Sequence, residues 1–318
     1  MSDTSITPNS SALRFAFLQA GGELGESIHA FDWSATPLGP IEAWSPALRM
    51  VLSFMLANRQ PMFLSWGPQH IGLYNDTCRS LLGSKHPNAL GQSAHAWFGE
   101  IWNRSKPRID TSLLGGSATY DEDLTIVINR NGFNEETHWQ VAFNPVPDES
   151  VPGSIGGVLA AMNDMTAKVL SERRLTVLRD LGRRSERAKS AHEACFAVAK
   201  ALENHAKEIP FALLYLSDAS GKQARLSATT AIEKDHDIGP AVFDLESGAE
   251  PWPLAEAKRE LQPLFVRDLA SRFANVPAGP WSDAPNTAVI LPILASKQHA
   301  PAGFLIAGVS SHLTLDDA

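Results

Sequence analysis

The sequence predicts an α+β protein of two domains, each an antiparallel sheet flanked by helices, with one helix joining them. Three observations carry this. Along 137–144, Trp139, Val141 and Phe143 fall on one face and His138, Gln140 and Asn144 on the other, the alternation of a sheet with one side toward a core. Gly156-Gly157-Val158-Leu159-Ala160-Ala161-Met162 reads as a buried strand, followed at once by Asn163-Asp164-Met165-Thr166 and a charged, helix-forming run from Ala167. A second group of strand signals begins after a fresh helix start at Ser190.

Residues 1–27 are assigned as an N-terminal tail, polar over the first ten or so. Ser45-Pro46 starts a helix, with a capping hydroxyl and a proline at the first helical position. Leu48, Val51, Leu52, Met55 and Leu56 follow at helical spacing. Residues 62–66 and 71–74 are short strands around Gly67-Pro68 and form a hairpin. Short helices are expected between Asp76 and Trp102, interrupted by Gly83, Pro87 and Gly91. Three further strands cover 120–129, 136–144 and 155–162, with turns at Asn131-Gly132 and a Pro/Asp/Gly cluster.

The charged run divides near Gly182. Ser190-Ala191-His192-Glu193 is a capping box, so a linker helix over 167–189 gives way to a helix from Ala191 with Cys195, Val198 and Leu202 as its apolar stripe. Strands are then expected at 211–216, 224–229, 264–267, 288–294 and 303–309, with a short helix at 254–261.

At 318 residues the chain is long enough for two ordinary domains. A net charge of −8 argues against a nucleic-acid partner. No apolar run approaches the roughly 20 residues that span a bilayer, so no membrane span is expected. Cys78 and Cys195 are far apart, which fits a reducing cytoplasm better than a disulfide framework.

Residues 28–166 resemble a PAS domain. The residues that carry this are Leu73-Tyr74-Asn75-Asp76, Leu81-Leu82-Gly83, Leu90-Gly91 and the closing Asp164-Met165-Thr166. Residues 190–318 resemble a GAF domain through 210–216, Trp252-Pro253-Leu254, Leu291-Pro292-Ile293 and 303–308. The order is similar to the sensory half of soluble hybrid sensor histidine kinases in bacteria. The resemblance implies a cytoplasmic sensory input module that relays a change, caused by a ligand or partner, through a helical linker. It implies a homodimer paired through helices, a possible small-molecule ligand and kinase domains further along the parent chain. The sequence ends, at Leu315-Asp316-Asp317-Ala318, before the final helix of a GAF domain and holds no phosphorylation helix or ATP-binding boxes. The fragment is therefore not expected to be an enzyme. A ligand-free dimerisation or protein-interaction scaffold is the alternative.

No catalytic or metal-binding set is expected. Four tryptophans, Trp66, Trp97, Trp102 and Trp139, suit the walls of a pocket for a flat apolar ligand, or else plain core packing. Asn75 is the polar candidate beside them, with a helix cap as its structural alternative. His95, near Trp97-Phe98, is the one histidine placed with that set. Asp164, Thr166, Leu175 and Leu178 are assigned to signal transmission. Cys78-Arg79 partly resembles the Asn-Cys-Arg stretch of flavin-based light sensors, but the cysteine lies too close to Tyr74-Asn75, so such a flavin is not expected. A covalent bilin is not expected either: no cysteine precedes Cys78, and Cys195 sits on an apolar stripe. Asp121-Glu122-Asp123 and Asp316-Asp317 read as solvated surface.

Overall fold

The computed structural model describes residues 15–97, 99–129, 132–186, 188–233, 236–246, 251–294 and 300–313. The turn at Asn131 and the acidic pair Asp316-Asp317 lie outside them. The chain divides into two compact units, 1–167 and 168–318. Each is an antiparallel sheet flanked by helices.

In the first unit the sheet runs β2-β1-β5-β4-β3. Its strands are β1 (Met62–Trp66), β2 (Ile71–Tyr74), β3 (Thr119–Asn129), β4 (Asn134–Pro147) and β5 (Ile155–Asp164). The hairpin β1–β2 forms in the expected register, with Trp66 opposite Ile71. Strand β5 is central, between β1 and β4. Gly156 and Gly157 are glycines because the Trp66 ring lies across them. A Cβ on Gly156 would come within 2.5 Å of Trp66 Cζ2, and one on Gly157 within 2.6 Å of Trp66 Cε3.

The tail expected over 1–27 is, from Phe15 onward, part of the fold. Helix α1 (Gly22–Ala30) buries Leu24 and Ile28 completely. Its first turn is capped from a distance, because the Leu24 N–H donates to Asp76 Oδ1 at 3.0 Å. Two long-range contacts, apolar and polar, therefore make a helix of a segment that has a weak local signal. Helix α2 (Pro46–Leu56) starts at Ser45, whose Oγ accepts from the Leu48 N–H and donates to Asp148 Oδ2 in the β4–β5 turn. Beyond β2 come the short α3 (Arg79–Leu82) and α4 (Ala94–Trp97), then α5 (Gly99–Gly115), a long helix where only short ones were expected. Pro107 and the end glycines hid it, since proline removes an internal hydrogen bond from a helix.

In the second unit the sheet runs β8-β7-β6-β11-β10-β9. Strands β6 (Ala212–Ser217), β7 (Gln223–Thr230), β9 (Leu264–Arg267), β10 (Thr287–Leu294) and β11 (Pro301–Val309) match the expected positions. The three-residue β8 (Val242–Asp244) carried no readable pattern. Helix α6 (Thr166–Ser185) begins at the end of the first unit. Helix α7 (Ala191–Leu202) opens on the capping sequence, with Ser190 Oγ accepting from the Glu193 N–H at 3.1 Å. Helices α8 (Leu254–Glu260) and α9 (Leu269–Arg272) complete the unit.

The two faces of this second sheet are covered differently. On one, Phe211, Tyr215, Trp252, Phe273 and Phe304 form the core. On the other lie α6 and α7. Val177 and Leu181 pack with Leu202, Ala212 and Leu305, while Cys195 and Ala199 pack on Leu214. An ion pair, Arg173–Glu208 at 2.9 Å, and a hydrogen bond between His205 Nε2 and Asp180 Oδ2 at 3.1 Å fix α6 there.

Candidate functional site

A small cavity of about 50 Å³ lies in the first unit, between the sheet and α5. Its sheet wall is Phe63, Leu124, Trp139, Val141 and Phe143, and α5 contributes Ile101 and Ile109. The alternation along β4 that marked one face as core is the reason Trp139, Val141 and Phe143 all point here. Ser105 and Lys85 are the polar members of the lining. The space equals about one or two water volumes and is lined almost wholly by apolar side chains.

Helix α5 closes the cavity and is tied to the edge strand by two arginines. Arg104 Nη1 donates to the Thr125 carbonyl, and Arg108 Nη2 donates to Asp121 Oδ1 at 2.7 Å. The Ser112 hydroxyl adds a bond to the Phe143 carbonyl. An organic ligand larger than a few atoms would have to displace this helix.

The residue beside Trp139 does something different. His138 points to the other face and sits between two carboxylates. Its Nδ1 is 2.6 Å from Asp123 Oδ1, and its Nε2 is 3.1 Å from Glu136 Oε1, a carboxylate with no solvent exposure. Hydrogen bonding to Glu136 raises the His138 pKa; burial opposes this and Asp123 adds to it. Asp123 was read as solvated surface; it is half exposed but holds this imidazole.

The His138 backbone grips the end of the unit. Its N–H donates to Thr166 Oγ at 3.0 Å, and its carbonyl accepts from the Met165 N–H at 2.8 Å. Asp164 Oδ1 accepts from the Thr166 N–H at 2.9 Å, which sets the first turn of α6. Asp164 and Thr166 therefore cap and anchor the helix. Cavity wall and helix clasp are neighbouring residues of one strand.

The six pocket candidates do not converge. Among those whose side chains are described, only Trp139 lines the cavity; its indole N–H is satisfied by Thr137 Oγ at 2.9 Å. Trp66 packs on the β5 glycines. Trp102 is buried with its ring edge-on to His70 and to His95, which is itself exposed. The side chain of Trp97 lies outside the described residues. Asn75 lines no wall, and although it stands at the N-cap position of the turn over 76–78 its side chain makes no capping bond. Its Nδ2 donates to the carbonyls of Met55, Asn58 and Gln60 and its Oδ1 accepts from the Met62 N–H, so it staples the α2–β1 loop. Missed from sequence were α5 and the Glu136–His138–Asp123 set. The second had a visible signal, two acids and a histidine on strands expected to pair, but their register was not readable.

Burial pushes the Cys78 thiol up to about 12, and it donates to the Met62 carbonyl. A thiol held neutral in this way is a poor nucleophile. No group of three or more His, Cys, Asp or Glu side chains is arranged to hold a metal among the described residues. No helix among them is long and apolar enough to cross a membrane.

No protein-family model matches the sequence, and no curated protein matches it. Solved structures with a similar fold include the GAF domain of an Acinetobacter phosphoenolpyruvate-protein phosphotransferase, 15% identical, covering 45% of this chain and 81% of that one at a TM-score of 0.34. The PAS domain of Bordetella pertussis BvgS is 16% identical and covers 42% and 96%, at 0.28. A sensory box sensor histidine kinase from Vibrio cholerae is 17% identical and covers 37% and 88%, at 0.26. None of these likenesses identifies a ligand, a reaction or a partner for this chain.

Proposed function

We propose that the protein is a non-catalytic sensory input module in which a change at the cavity of the first unit is passed to helix α6. One observation carries the reading: Trp139 forms the cavity wall while the adjacent His138 holds Thr166 and Met165 at the start of that helix. A shift of β4 that accommodates a guest moves the peptide between these two residues, and with it the clasp. The input can be a small apolar molecule or a contact that moves α5; either acts only through a difference in affinity for the two arrangements. From the PAS-then-GAF order of the sequence resemblance, the output we assign is a histidine kinase.

The second unit supports a different role within the same protein. Trp252 and Tyr215 are fully buried, and their polar atoms are satisfied by the Ile238 and Pro240 carbonyls. A core filled in this way suits a ligand-free docking body, the scaffold reading, for this unit alone.

The test is hydrogen exchange with and without a small apolar guest, benzene. Guest binding is expected to change exchange at the Met165 and Thr166 amides. Binding at the cavity with unchanged exchange at those amides would defeat the relay.

A further inference from the structure

Leu175 and Leu178 on α6 are each 66% exposed, apolar groups left in water. Ser105 on α5 is the reverse case. It lines the apolar cavity of the first unit and is only 6% exposed, so its hydroxyl is shut in among hydrocarbon. The other hydroxyls of α5 are bonded. Thr111 donates to the Pro107 carbonyl at 2.8 Å, and Ser112 donates to the Phe143 carbonyl. The Ser105 hydroxyl makes no hydrogen bond among the described residues; even the Ile101 carbonyl, four residues back and the ordinary partner of a helical serine, is not used. A buried hydroxyl without a partner costs free energy, and an oxygen placed beside it recovers that cost.

The cavity sets the rest of the guest. Its volume of about 50 Å³ holds about two or three non-hydrogen atoms. Phe63, Ile101, Ile109 and Trp139 are among its walls, so most of those atoms must be hydrocarbon. Ser105 can donate or accept, which matches a single oxygen. Charge is disfavoured. Lys85, the other polar member of the lining, already has an interaction of its own. A carboxylate would be stripped of water and gain no new counter-charge. A water molecule meets the hydroxyl but leaves the hydrocarbon walls without contacts on one side.

We infer that the cavity is a site for a neutral short-chain alcohol, ethanol in size, whose oxygen pairs with Ser105 Oγ and whose alkyl end packs on Ile101, Ile109 and Trp139. This rests on the reading of that cavity as the input of the first unit. So few atoms bind no tighter than about 1 mM. The signal is then an alcohol that accumulates, not a trace metabolite.

The full 318-residue chain, labelled at its isoleucine methyl groups, is titrated in separate NMR experiments with ethanol, with xenon as an apolar probe, and with propionate. Ethanol is expected to shift the Ile101 and Ile109 methyl resonances saturably at millimolar concentration, with nuclear Overhauser contacts from its own methyl group. Ser105→Ala should weaken ethanol about threefold or more while xenon binds as tightly as before, which shows that the cavity is intact. Propionate should leave both resonances in place. Xenon entering without ethanol, ethanol binding that Ser105→Ala leaves unchanged, a Ser105→Ala chain that loses both guests, or propionate binding tighter than ethanol would each overturn the inference. If neither xenon nor ethanol enters, the inference falls together with the small-molecule input it rests on. Ethanol that binds as expected while exchange at Met165 and Thr166 stays unchanged supports the site and defeats the relay alone.

Discussion

The two units solve the same packing problem with opposite results. Both cover one face of an antiparallel sheet with aromatic and aliphatic side chains. In the second unit Trp252 meets Phe273 at 5.0 Å and Tyr215 meets Phe243 at 5.2 Å, and both polar tips are satisfied. In the first, the tryptophans are spent elsewhere: Trp66 on the β5 glycines, Trp33 and Trp44 on each other at 4.9 Å. The space between sheet and α5 is lined by aliphatic side chains with Phe63, Phe143 and Trp139, and a void remains. A filled core resists deformation, because interiors close-packed like crystals have few ways to give. A void beside a helix held by two arginines gives more easily. On packing alone, the first unit has room to change and the second has less.

This contrast can be broken by mutation. Trp252→Ala is expected to have the largest effect, destabilising the second unit by about 3–5 kcal/mol, since it opens a large hole in a core without slack. Chemical denaturation followed by tryptophan fluorescence measures it; a loss under about 1 kcal/mol would erase the distinction. Ile109→Ala in α5 comes next, at about 2–4 kcal/mol. It also enlarges the existing void, so benzene should raise the variant's melting temperature more than the wild type's. No gain from benzene would mean the space collapses and is not a preformed site.

Thr166→Val probes the clasp. It leaves the His138 N–H without its partner and should cost about 1–2 kcal/mol, with faster exchange at His138 and Met165. Unchanged exchange would show that the β4 backbone and α6 are not coupled there. The smallest effect is on pH. The His138 pKa is raised in the folded protein, chiefly through Glu136. A raised value means the charged imidazole contributes stability that is complete below the ordinary value of about 6.5 and is lost as pH climbs through the folded value. The melting temperature of the first unit should therefore fall as pH rises above about 6.5, and His138→Asn should flatten that slope. A slope that survives in the variant would assign it to other groups.

Much of the architecture was legible in local patterns. Ser45-Pro46 and Ser190–Glu193 are capping signals whose bonds depend on residues at most three apart, and both form. The alternation along β4 is likewise a property of the strand alone. The candidate site was harder to read. Tryptophans are visible as residues, but which of them share a wall depends on strand register and on where helices land. Of the pocket candidates with described side chains, Trp139 alone faces the void, and it was the one placed by an explicit alternation. Asn75 looked like a cap because sequence shows its neighbours at 76–78; its actual partners lie 13 to 20 residues away.

By itself the sequence determined the two sheets, the helix between them, and the leucine–arginine pattern on that helix, because periodicity and charge spacing are written in consecutive residues. Tertiary structure alone decided that α1 joins the core, that α5 forms despite Pro107, that the space under β4 stays open, and that His138 reaches Asp123, Glu136 and Thr166 at once. Each of these depends on contacts between residues distant in the chain or on a strand register, and no local pattern encodes either.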